Sequence, residues 1–167
     1  EAAEKEFNRA MELDPSSFAA PYGYAFVLSA LGRHDEALVA IKLAQRLDPL
    51  NPMSQTAAAL HFMWARRYDE ALEQAQAAQQ LFPDVPRVHQ RTARVYEAME
   101  LFDEAAAAWQ REQILEGVSE EEVAGISGAA TSGKESYWRW KLSYWTEKAR
   151  RENVPLNEFT LAYVQLG

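Results

Sequence analysis

Residues 128–134, Gly-Ala-Ala-Thr-Ser-Gly-Lys, fit G-x-x-x-x-G-K, the core of a loop whose backbone N–H groups cradle phosphates. That chemistry needs Ser or Thr next, to hold magnesium, and the next residue is Glu135, whose charge repels phosphate. It also needs a buried parallel strand upstream. The segment before the loop offers only Val123 and Ile126 in a helix-like context, so the stretch reads as an inter-helix link. The three histidines, His34, His61 and His89, include no i, i+4 pair, and no cluster resembles a metal site or a catalytic triad. With no cysteine, thiolate ligands and disulfides are excluded. The expectation is a chain with no catalytic residue, no metal and no cofactor.

Two groups of side chains remain. Arg87, Arg91 and Arg94 stand at i, i+4, i+7 and share one face of a helix. Tyr137, Trp138, Trp140, Tyr144 and Trp145 form an aromatic group inside residues 134–152, a segment with six Lys/Arg against three Glu. Such rings stack on bases or fill a helical core; such charges make a binding patch or a solvated face. The net charge of −8 argues against nucleic acid or an anionic membrane as partner of the chain as a whole. No apolar run approaches the roughly 20 residues of a membrane span. The opening residues show no secretory pattern, so the expected compartment is the cytoplasm, with any targeting segment outside this stretch.

The elements that position these residues emerge from a repeat. Pro15, Pro49 and Pro83 are 34 residues apart, with Gly117 at the next step, and each proline closes a similar phrase: MELDP, QRLDP, QQLFP. Ala3/Ala10 recur as Ala37/Ala44 and Ala71/Ala78, then as Ala105 with Glu112. Acid pairs Asp35-Glu36, Asp69-Glu70 and Asp103-Glu104 follow His34, Tyr68 and Phe102 at each helix corner. Carboxylates there suit the positive end of a helix, and proline stops one helix before admitting the next. Two helices cross closely only where side chains are small, which assigns the crossings to Ala25, Ala59 and Ala93 on first helices and Ala37, Ala71 and Ala105 on second ones. Leu28, Phe62, Tyr96, Phe7, Ile41 and Trp109 then fill the space between hairpins.

Over residues 1–117 this pattern resembles the tetratricopeptide repeat (TPR) family. It departs from the family pattern where the first-helix tryptophan is Pro21, Gln55 and His89, and where the usual glycine is Ala25, Ala59 and Ala93. The resemblance implies an all-α fold, a solenoid of stacked antiparallel hairpins coiled into a right-handed superhelix of about 10 helices. The expected division is a single array over 1–167. Residues 1–17 are the second helix of a truncated repeat. Full repeats follow at 18–51, 52–85 and 86–119, with helical hairpins over 18–47, 52–81 and 86–115. Residues 120–153 are a diverged fifth hairpin, with helices over 120–131 and 134–152, and 154–167 are the first helix of a truncated sixth. In the fifth hairpin Trp138, Leu142, Trp145 and Ala149 share the expected buried face. The C-terminal phrase, with Val154, Pro155, Ala162, Leu166 and Gly167, resembles the TPR end region of bacterial multidomain regulators.

In the TPR arrangement the first helices line a concave groove that binds peptides or helices. By repeat position, its expected lining is Tyr22, Phe26, Leu60, Met63, Arg87, Gln90, Arg91 and Arg94. Arg87 and Arg91 match the basic pair of chaperone-binding members of the family, but Tyr22, Phe26 and Ala57 stand where that clamp needs lysine and asparagines, so the clamp is rejected. The expected function is a non-catalytic protein-interaction scaffold, part of a larger bacterial regulatory protein, whose partner is a protein or peptide, acidic if the arginine face reads it. The alternative is a self-association module. Phe7 and Met11 at one end, and Phe159, Leu161 and Tyr163 at the other, would be left exposed by the truncated repeats, to be covered by another copy or by flanking residues.

Overall fold

A computed structural model describes residues 2–123 and 133–153. Among them are nine helices and no strand: α1 (Ala2–Leu13), α2 (Ala19–Ala30), α3 (His34–Leu47), α4 (Pro52–Trp64), α5 (Tyr68–Leu81), α6 (Pro86–Ala98), α7 (Phe102–Leu115), α8 (Glu120–Val123) and α9 (Lys134–Glu152). The phosphate-loop-like residues before Gly133, the remainder of the 120–131 helix and the whole of 154–167, with Phe159, Leu161 and Tyr163, lie outside the described residues.

Local chemistry sets the helix ends. Asp-Glu pairs occupy the first turns of α3, α5 and α7. Prolines open α4 and α6, where the missing N–H is no loss, and the Asn51 side chain accepts from Met53 N at the start of α4. Each hairpin corner closes the same way. The amides of Arg33, Arg67 and Leu101 donate back to Leu28, Phe62 and Tyr96 carbonyls at 2.9 Å, across a left-handed residue. That residue is Gly32 (φ 74°), Arg66 (φ 59°) and Glu100 (φ 59°) in turn. This is a Schellman motif used three times, twice without glycine. Gly117 (φ 91°) ends α7 by the same bonds, Val118 N to Gln113 O and Gly117 N to Ile114 O, both 3.0 Å.

The core is a run of overlapping clusters rather than one centre. Ala25, Ala37, Ala44 and Ala57 with Leu28 and Ile41 join α2, α3 and α4. Leu38, Ala59, Phe62, Ala71, Ala75 and Val95 join α3 to α6. Ala93, Ala105, Trp109, Val123 and Tyr137 join α6 to α9. All six crossing alanines are essentially inaccessible. Each helix pair therefore completes the core of the next.

Two expectations are corrected. Phe7 does not face solvent: it stacks on Tyr24 at 4.3 Å and 13°, and Met11 is half-buried, leaving Leu13 as the exposed apolar side chain of α1. The buried face of α9 is wider than the expected one and centred one residue before it: Trp138, Trp145 and Ala149 are half-buried as expected, and Leu142 is not. Tyr137 and Lys141 are fully buried and Tyr144 and Lys148 half-buried, at i, i+4, i+7, i+11, whereas Leu142 is 36% exposed. The reason is a carboxylate. Glu97 of α6 is buried and takes the Lys141 ammonium, the Tyr137 hydroxyl (2.5 Å) and the Trp109 indole N–H (2.8 Å). The ammonium also sits 4.2 Å from the Trp109 ring centre and 5.3 Å from that of Trp138. The aromatic group of α9 is thus mostly core, as its rings pack on α6 and α7.

Candidate functional site

The first helices α2, α4 and α6 carry every residue assigned to the groove, and the structure divides them. Arg87 and Arg94 are exposed on α6, and Arg87 Nη1 donates to Gln90 Oε1 at 2.8 Å. Arg91, expected in the same basic wall, is only 7% exposed. Its Nη1 donates to Met53 O and Thr56 Oγ1, both at 2.7 Å, and its Nη2 to the Tyr22 hydroxyl at 3.0 Å. One guanidinium thus ties α6 to α4 and α2, and all three of its acceptors are neutral. The wall has two exposed arginines where the spacing suggested three. Leu60 is likewise buried, at 3% exposure, and Met63 packs half-buried against the Phe62–Ala71 cluster. Tyr22 and Phe26 remain half-exposed on α2, with ring centres 5.1 Å apart.

Beyond Phe26 the surface sinks into a cavity of about 430 Å³, lined by Phe26, Ser29, Ala30, His34 and Trp64. His61 stands behind it, fully buried, and packs edge-to-face on Phe26 (4.8 Å) and Trp64 (5.2 Å). Its Nδ1 shares a hydrogen bond with Ser29 Oγ at 2.8 Å, while its buried Nε2 has no partner, and neither has the buried Nδ1 of His34. Burial holds the His61 imidazole neutral, its pKa pulled down to about 4, with the nearby Arg91 charge and His34 acting in the same direction. A serine on an imidazole is the pairing that activates nucleophiles. Here no carboxylate orients the ring, and a base of so low a pKa drives proton transfer weakly. Ser29 presents the pair's polar edge to the cavity, and His61 is buried behind it.

Ser29, His34, His61 and Trp64 were not assigned to a site by sequence. Trp64 and Ala30 do share a repeat position, 34 residues apart at the ends of successive first helices, and that register was the available signal. The Lys134 that would serve a phosphate loop pairs instead with Glu100 at 3.0 Å, and Glu135 pairs with Arg139 at 2.6 Å. Among the described residues no group of three or more His, Asp or Glu is placed to hold a metal ion, and no helix is long and apolar enough to cross a membrane.

No family model matches the sequence, and no curated protein does. Several solved structures are similar. The first TPR of Spaghetti (RPAP3), bound to the HSP90 peptide SRMEEVD, matches 71% of this chain and 96% of its own at 21% identity and a TM-score of 0.56. MamA MSR-1 C2 matches 70% of this chain and 68% of its own at 19% identity and 0.53. Yeast Tom70 matches 96% of this chain at 16% identity and 0.65, although the match spans only 42% of Tom70.

Proposed function

On the tetratricopeptide-repeat fold that these likenesses establish, we propose that the chain is a non-catalytic scaffold holding an extended peptide of a protein partner against α2, α4 and α6. The observation that carries this reading is the composition of that face. Arg87 and Arg94 are exposed beside the buried Arg91, whose charge meets no carboxylate, and the rings of Tyr22 and Phe26 continue the surface. A positive wall beside an apolar floor suits an acidic partner in a protein whose net charge is −8. The bound SRMEEVD peptide of the RPAP3 structure is a precedent for such use of the fold, with a different set of side chains. The C-terminal resemblance to bacterial multidomain regulators supports placing the array in a larger regulatory protein. Self-association is the second reading, and mass measured against concentration separates it.

An array of immobilised acidic, neutral and basic peptides tests the proposal. Acidic peptides should be retained selectively, with retention falling as salt rises. The Arg87→Glu/Arg94→Glu double variant should lose them while its helical circular dichroism is unchanged. Equal retention of acidic and basic peptides, or an unaffected double variant, removes the groove reading.

A further inference from the structure

Taking the groove reading as given, we infer that the cavity lined by Phe26 and Trp64 is an anchor site for one aromatic side chain of the partner peptide, with acidic residues of the same peptide lying towards Arg87, Arg91 and Arg94.

Three independent features select this occupant. The first is shape. At about 430 Å³ the cavity falls in the range of sites that hold a small organic group, and one apolar wall is made by the rings of Phe26 and Trp64, themselves in edge-to-face contact at 5.7 Å and 73°. Such walls favour a third ring, which meets edges and faces at once. The second is polarity. Ser29 and His34 line it, with the Ser29 hydroxyl held by His61 from behind, and the His34 Nδ1 is buried without a hydrogen-bond partner. A buried polar atom in that state costs stability until a ligand group or a water satisfies it. An indole N–H or a phenol O–H brings a flat apolar body with one polar tip, and an aliphatic side chain does not. The third is charge. Arg91 touches Tyr22, Tyr22 touches Phe26, and Phe26 lines the cavity, so an unbroken run of side-chain contacts links the guanidinium to the cavity. Arg91 is buried among neutral acceptors, and its field reaches His61. A carboxylate beside the anchor residue supplies the missing negative charge, with Arg87 and Arg94 exposed on the same helix to receive it.

The probes are three capped heptapeptides: an acidic one with a central Trp, the same with central Ala, and a Lys-rich one with central Trp. Binding is followed through the backbone and indole N–H resonances of the isotopically labelled chain. The acidic Trp peptide should shift the Trp64 indole and the amides around Phe26 and Ser29. The central Ala should weaken its binding by about tenfold or more. Ala30→Trp, which fills the cavity from an exposed position, should weaken the Trp peptide to the level of the Ala peptide and leave the Ala peptide unchanged. Trp64→Ala should do the same. If acidic Trp and Ala peptides bind equally, with shifts confined to α6, the anchor site is overturned while the acidic groove survives. If the Lys-rich Trp peptide binds as well as the acidic one, the charge partner is overturned. Failure of all three at millimolar concentration overturns the anchor outright, and the array experiment then decides the groove on its own.

Discussion

Among the described residues two cations are buried, one in each half of the stack, and they are handled in opposite ways. Arg91, between α2, α4 and α6, is held by neutral oxygens alone. Lys141, between α6, α7 and α9, is held by the Glu97 carboxylate inside a ring of aromatic faces. A guanidinium spreads its charge over five donors and tolerates neutral acceptors, whereas a compact ammonium loses more hydration and needs a counter-charge. The difference separates a joint that still carries a net charge to the surface beside it from a latch whose charge is cancelled internally. The first suits the binding face proposed above. The second holds α9, which caps the described stack, onto α6 and α7.

That contrast yields the largest expected effects. Lys141→Ala strands Glu97 as a buried, uncompensated carboxylate and should cost roughly 3–5 kcal/mol, measured by urea unfolding. Replacing both partners, Glu97→Leu with Lys141→Met, removes the desolvation of both charges but takes the acceptor from the buried Tyr137 hydroxyl and Trp109 N–H, so it should cost less than Lys141→Ala without becoming stabilising. Arg91→Ala strands only neutral groups, Thr56 and Tyr22, and should cost less, roughly 1–3 kcal/mol. If Arg91→Ala proves the more damaging, the assignment of joint and latch is reversed.

The same contrast explains what the sequence revealed and what it hid. Proline, alanine and Asp-Glu spacing placed both ends of α1 and the outer ends of the three hairpins from α2 to α7 to within a residue, because each of those types has one cheap place in a stacked hairpin. The crossing alanines followed for the same reason. Burial of a charged residue has no such sign. Arg91 sits at regular helical spacing between two exposed arginines, and only its depth between α2 and α4 distinguishes it. On α9 the apolar pattern pointed to Trp138, Leu142 and Trp145, while Glu97, 44 residues away, turned the helix so that Lys141 faces inward. Phe26 was assigned to the groove from its repeat position. Its cavity was not, because the cavity depends on how Trp64 and His61 of the next hairpin close against it.

A second buried carboxylate lets pH probe the cap alone. Glu112 on α7 is 1% exposed and its Oε2 has no partner. Lys148 Nζ lies 3.7 Å from its other oxygen, and Tyr144 and Lys141 of α9 and Glu116 just after α7 also act on it or share its field. Burial pushes its pKa up to about 7, with Lys148 opposing and Glu116 adding to the rise. A carboxyl raised above its unfolded value binds a proton more tightly when folded, so its contribution is complete below about pH 4.5 and is lost as pH rises through about 7. Thermal melts should therefore show stability falling on the order of 1–3 kcal/mol across that window, and Glu112→Gln should flatten the slope. A slope that persists in Glu112→Gln would place the responsible group elsewhere. Arg91→Ala, in the other half, should leave the slope as it is.

The smallest effects come from the hairpin corners, where the two halves can be compared at matched positions. Gly32, Arg66 and Glu100 occupy one step of the repeat, and all have positive φ. For a side chain other than glycine that conformation costs roughly 1–2 kcal/mol, part of which glycine gives back through the greater freedom of the unfolded chain. Arg66 has exposed surroundings and sits in the groove half, so Arg66→Gly should stabilise by up to about 1 kcal/mol. Glu100 has the same strain, but it also pairs with Lys134 at the start of α9 at 3.0 Å, an exposed bond worth about 0–1 kcal/mol. Glu100→Gly relieves the strain and releases that tether, so its net effect should lie near zero. In the reverse direction, Gly32→Ala imposes the strain and should cost roughly 1 kcal/mol. Measured together by chemical unfolding, the three variants order as Arg66→Gly above Glu100→Gly above Gly32→Ala. Equal gains from the first two would mean that the Lys134 pair contributes nothing to holding α9, leaving the cap to its buried latch alone.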